Sequence, residues 1–155
     1  MNYKTISIGS EHAGFDLKSV IMSILKDESY MVEDLGIYKK EPSDIYPLIA
    51  EKVALNVASK KTDCGILICG TGIGMSISAN KIYGIRDVLC HDEYTAIKSR
   101  EHNDANVLVI GSRIVDEESA IRIVHSWLSS EFTFGRHTQR VENINKLDLK
   151  YRKLI

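Results

Sequence analysis

Apolar positions along this chain follow two spacings. Short continuous runs such as Ile66 to Cys69 have the length of buried strands, whereas Leu17, Val20, Ile21, Ile24 and Leu25 recur at helical spacing with polar residues between them. In chain order, a strand around Ile6 and Ile8 leads through a turn at 10–14 into that first helix. A second strand over 30–35 is closed by Gly36, and a loop over 38–47 holds both prolines, Pro42 and Pro47. Ile49, Val53, Ala54, Val57 and Ala58 mark a second helix. The strand 66–69 then runs into Gly70, Gly72 and Gly74, followed by a helix to about 82 and a strand over 85–90. Asp92 can cap a helix over 93–100. A strand over 106–110 ends at Gly111, and Asp116 with Glu117 and Glu118 opens a helix whose inner face is Ala120, Ile123, Val124, Trp127 and Leu128. A last helix over 137–150 ends in a basic tail, 150–153.

Strands alternating with helices predict a parallel sheet covered on both faces. The expected fold is a three-layer α/β/α, Rossmann-like arrangement around five parallel strands, in one domain spanning 1–155, with no repeat or linker. Ligands of such sheets bind beyond the carboxyl ends of the strands. That rule points to Glu11 and His12 after the first strand, Cys69 and Thr71 after the third, His91 and Asp92 after the fourth, and Ser112 and Arg113 after the fifth.

Composition narrows the partners. With 44% hydrophobic and 26% charged residues and a formal net charge of -1, nothing favours nucleic acid or an acidic membrane. Three cysteines, Cys64, Cys69 and Cys90, without a C-x-x-C, argue against a disulfide framework or a zinc site. No signal-peptide stretch follows Met1 and no segment has bilayer-spanning length, so a cytoplasmic protein is expected, and the five histidines show no metal-ligand spacing, so no metal is expected.

The glycine turn carries the sharpest chemistry. Gly70-x-Gly72-x-Gly74 is neither a dinucleotide fingerprint nor a P-loop, and Met75 stands where a cysteine phosphatase needs arginine. The first turn lacks the dinucleotide glycines too, although Asp34 closes the second strand where a ribose-binding acid would lie. Cys69, at a strand end facing a helix N-terminus, reads either as a buried packing cysteine or as a thiol whose thiolate is favoured. His102 reads as a partner of a helix dipole or as a general acid/base. Arg136 and Arg140 share a helix face with His137 beside them, and with Arg113 they are the candidate anion binders, or else solvated surface.

Taken jointly, Gly9 to Phe15 (GSEHAGF), Ile68 to Gly74 (ICGTGIG), Ser99 to Asp104 (SREHND), Gly111 to Arg113 (GSR) and Gly135 to His137 with Arg140 resemble the type B ribose-5-phosphate isomerases, a family that includes allose- and galactose-6-phosphate isomerases. The resemblance covers about residues 4–149. It implies cofactor-free interconversion of ribose 5-phosphate and ribulose 5-phosphate through an enediolate. Cys69 would be the base, and His102 would assist ring opening, with Thr71 close by. Backbone groups around Gly70, Gly72 and Gly74 would hold the oxyanion. His12, Arg113, Arg136, His137 and Arg140 would bind phosphate, and Glu11, Tyr46 and Asn103 would contact the sugar. It further implies a homodimer or homotetramer with shared sites, the helix 137–150 packing on a partner subunit. Two departures touch sugar recognition: Glu11 stands where the family has Asp, and Ile45 is interposed between Asp44 and Tyr46. The alternatives are a hexose 6-phosphate substrate or a non-catalytic sugar-phosphate-binding module.

Overall fold

Five strands form one parallel sheet in the order β2-β1-β3-β5-β4. They are β1 (Thr5–Ser10), β2 (Met31–Asp34), β3 (Cys64–Cys69), β4 (Asp87–Leu89) and β5 (Val107–Gly111). The helices are α1 (Phe15–Asp27), α2 (Tyr46–Ala58), α3 (Ile73–Ala79), α4 (Glu93–Asn103), α5 (Glu117–Ser129) and α6 (Arg136–Arg152). The structure is a computed structural model describing residues 3–40 and 45–152. Pro42 and Asp44 of the expected loop and Lys153 of the basic tail lie outside the described residues.

The pleat of β3 explains the layers. Ile66 and Ile68 face α1 and α5 in a core with Ile21, Leu25, Ile123 and Trp127. Leu67 and Cys69 face the other way, into a core with Ile49, Val53, Val57 and Met75 from α2 and α3. Each large side chain removed from water contributes roughly 1.5–3 kcal/mol. Both faces being buried is why these strands read as continuous apolar runs.

Three boundaries differ from the sequence reading. Tyr46 and Pro47 belong to α2, where proline occupies the first turn and loses no hydrogen bond. The third helix stops at Ala79, and Ile82 N–H donates to the Ala79 carbonyl in a tighter turn. The fourth helix continues to Asn103, ending only where Asp104 adopts a left-handed conformation with φ 47°. His102 and Asn103 therefore sit on a helix's last turn.

Two consequences position the site. The chain leaves β1 toward β2 on one side and toward β3 on the other, so the switch point lies between the carboxyl ends of β1 and β3. Second, α4 runs back antiparallel to the strands. At its end the Asn106 carbonyl accepts from Gly65 N–H, at the opposite end of β3 from Cys69. His102 and Cys69 thus lie at opposite edges of the sheet, separated by roughly 15 Å of strand length.

Candidate active site

At the switch point a cleft of about 580 Å³ is lined by Glu11, His12, Tyr46, Cys69, Gly70, Thr71, Gly74 and Arg113. Ser112 hydroxyl ties its walls together, donating to the carbonyls of Ala13 (2.8 Å) and Cys69 (3.2 Å). Gly72 is required on two counts: its φ is +81°, and a Cβ there would come within 2.3 Å of Leu89 Cδ1. At Gly74 a Cβ would lie 2.5 Å from the Tyr46 ring, so glycine lets that ring close over the turn.

Cys69 is 7% exposed, and its Sγ accepts the Gly72 N–H at 3.1 Å. Burial pushes the thiol above its ordinary pKa, with the N–H groups of Gly72, Met75 and Thr71 pulling down and the charge of Glu11 adding to the rise. The expectation that the helix terminus alone favours the thiolate is therefore corrected: desolvation wins in the single chain. The Gly72 N–H also serves the sulfur, not a ligand. Met75 was missed as a donor, because nothing in an apolar residue type signals its backbone role.

Glu11 curls back into the fold. Its Oε1 accepts from Ala13 N–H at 3.1 Å and its Oε2 lies 2.5 Å from His12 Nδ1. Thr71 Oγ1 accepts from Ile73 N–H at 3.3 Å, which leaves the hydroxyl proton free to donate into the cleft. Asp34 is not a ribose acid here. Buried Lys18 donates to both its oxygens at 2.8 Å, and Gly36 N–H takes Oδ1 at 3.0 Å. His91 is exposed and Asp92 caps α4 through Thr95 N–H; neither lines the cleft, because β4 is the far edge strand.

The remaining candidates form a second group at the other edge. The rings of His102 and His137 stack with centroids 4.1 Å apart and planes 6° apart. Arg136 Nε donates to His137 Nε2 at 3.4 Å, a contact that favours the neutral imidazole. Burial, followed by His102 and the guanidiniums of Arg136 and Arg140, holds His137 below its ordinary pKa. Arg140 lies one turn further along α6, and Asn103 follows His102 on α4. The structure does not bring His102, Asn103, Arg136, His137 or Arg140 into the Cys69 cleft of the same chain.

A thiol facing a histidine and an arginine at the switch point of a parallel sheet defines the class: an α/β enzyme for a small anionic substrate. Residues 6–144 match the family described as Ribose/Galactose Isomerase. The chain is 49% identical over 145 residues to ribose-5-phosphate isomerase B of Escherichia coli (strain K12), covering 94% of this chain and 97% of that one. It is similar to the structure of Clostridium thermocellum ribose-5-phosphate isomerase B, with a TM-score of 0.92, 48% identity and coverage of 95% and 99%. A Mycoplasma genitalium ribose-5-phosphate isomerase B with bound ribulose-5-phosphate matches with a TM-score of 0.90, 39% identity and coverage of 94% and 97%. The chain belongs to the ribose/galactose isomerase family and is an isomerase. Among the described residues no helix is long and apolar enough to cross a membrane.

Proposed function

We propose that the protein interconverts ribose 5-phosphate and ribulose 5-phosphate in the cytoplasm, at a site built from two protomers. The observation that carries this reading is the placement of Cys69 beside His12, Thr71 and Arg113 in an open cleft, in a chain nearly half identical to a ribose-5-phosphate isomerase.

The chemistry follows from the groups. His102 of the partner subunit assists opening of the furanose ring. Cys69, as thiolate, takes the proton from C2 of the open aldose, and the electron pair forms the C1–C2 double bond while O1 becomes an oxyanion. The hydroxyl proton on O2 passes to O1, and the thiol returns its proton to C1, leaving the ketose and the thiolate. The Thr71 hydroxyl and the N–H groups near Gly70 and Gly74 stabilise the oxyanion; one such donor is worth on the order of 3 kcal/mol. His12 and Arg113 meet the phosphate from one protomer, and Arg136, His137 and Arg140 of the partner subunit meet it from the other. That remote grip orients the reacting carbons. No metal or other cofactor enters these steps.

Two observations support a shared site. His102 and Cys69 of one chain sit at opposite sheet edges, so a second copy must bring them together. In addition, α6 is an exposed helix in which, among the described residues, only His137 and Val141 are buried, and it presents Ile144, Leu147 and Leu149. Packing α6 on a partner subunit covers that face.

Cys69→Ala tests the assignment. A general base contributes about 10²–10⁴-fold, so kcat with ribose 5-phosphate is expected to fall by that factor while a phosphate-ester inhibitor still binds. Isomerisation at the parental rate refutes Cys69 as the base. Comparing kcat/KM for ribose, allose and galactose phosphates checks the substrate, and a preference of about tenfold for a hexose (1.4 kcal/mol) overturns it.

A further inference from the structure

One side chain outside the cleft ties together the two helices that carry the second group. Arg86 lies just before β4. Its Nε donates to the carbonyls of Asn103 and Asp104, both at 3.0 Å, and its Nη2 donates to the Asp104 carbonyl and to Asp104 Oδ2, both at 2.8 Å. The third nitrogen, Nη1, reaches Asn145 Oδ1 on α6 at 3.3 Å. A planar guanidinium is suited to several acceptors in fixed directions. Here it grips the negative end of the α4 dipole and, with its remaining arm, the neighbouring helix.

The turn so held is a demanding one. Asp104 has a side chain yet adopts φ 47° and ψ 46°, and its other oxygen, Oδ1, accepts from Arg100 Nη1 at 3.1 Å. Two arginines therefore fix the carboxylate of the residue that ends α4, two positions after His102. The ring of His102 must then meet that of His137, which α6 carries. Contact at 4.1 Å with planes within 6° requires a fixed register between the helices. Functional constellations depend on such supporting bonds to hold groups within about 0.5 Å.

We propose that Arg86 is a positioning residue: by clamping the end of α4 to α6 it sets where His102 and Asn103 point and keeps His102 stacked on His137. This rests on the reading of His102 as part of the isomerase site. The Arg86 guanidinium bonds to Asn103, Asp104 and Asn145 rather than to His102 or His137, and acts through them. A lysine cannot replace it, since one ammonium cannot reach acceptors on both helices in these directions.

The experiment compares wild type with Arg86→Ala, Arg86→Lys and His102→Ala, using ribose 5-phosphate turnover and the ring-current shift of the His102 imidazole protons by NMR. Arg86→Ala and Arg86→Lys are both expected to lower kcat at least tenfold and to lose the stacking shift. Should Arg86→Ala fail to fold, Arg86→Lys, which keeps charge and stem, decides. If both the shift and kcat of Arg86→Lys equal those of wild type, the proposal is overturned. A His102→Ala enzyme with full kcat removes the catalytic reading of His102 instead, whereas the NMR arm still reports whether Arg86 holds the stack.

Discussion

The two edges of this sheet hold chemistry of opposite kinds. At the carboxyl edge, the thiol of Cys69 lies under backbone N–H groups with Glu11 as its charged neighbour, and burial raises its pKa. At the amino edge, burial and the neighbours His102, Arg136 and Arg140 lower the pKa of His137. Each shift thus favours the neutral form within its own chain. Each edge also holds the charge the other needs: cations that lower the pKa of a thiol, and a thiolate that raises that of an imidazole. On the proposed reading, the difference means that a single chain carries two half-sites. In the proposed assembly the carboxyl edge of one protomer meets the amino edge of its partner.

Two measurements sharpen that contrast. The larger effect concerns Asp87, which opens β4 at the amino end of the sheet and accepts from Ser76 of α3. Burial raises its pKa to about 8, with the Ser76 bond pulling down. A carboxyl raised in the fold binds a proton that the unfolded chain releases near pH 4, so stability falls as pH rises from about 4 to about 8. Asp87→Asn is therefore expected to stabilise the protein by about 2 kcal/mol at pH 8 and by much less at pH 4 in urea titrations. An equal effect at both values means that burial does not govern the protonation of Asp87. The smaller effect concerns Cys69 itself. Alkylation by iodoacetamide follows the thiolate, so its midpoint pH is expected to lie about one unit lower in wild type than in Arg136→Ala, in which a partner cation is missing. Identical midpoints mean that the cations of α6 do not reach the sulfur.

Much of this arrangement is legible in the sequence because burial leaves a pattern. The runs of β3 and β5, the glycine turn and the cap at Asp92 are local features, and a parallel sheet follows from their alternation with helices. Glu11, His12, Cys69, Thr71 and Arg113 are legible for the same reason, since each closes or follows a strand, whereas Tyr46 opens α2 and enters through the family resemblance. What escapes is whatever depends on non-local placement. The strand order leaves His91 at the far edge, while Lys18 occupies Asp34, which looked like a ribose acid. The protonation of Cys69 depends on how deeply α2 and α3 cover it, and no residue type records that depth. Arg86 reads as an ordinary charge before a strand until α4 and α6 are seen to end beside it. The antiparallel return of α4 was in principle readable, and by itself it sends His102 away from Cys69.

The central claim is that one active site needs both edges, each from a different protomer. Mixing Cys69→Ala with Arg136→Ala protein under conditions of subunit exchange tests it directly, since each variant alone lacks one edge in every site. Random reassortment gives mixed pairs with one intact site, so about a quarter of wild-type activity is expected to return. Activity that stays at the level of the two separate variants, with exchange verified by mass, would contradict the account.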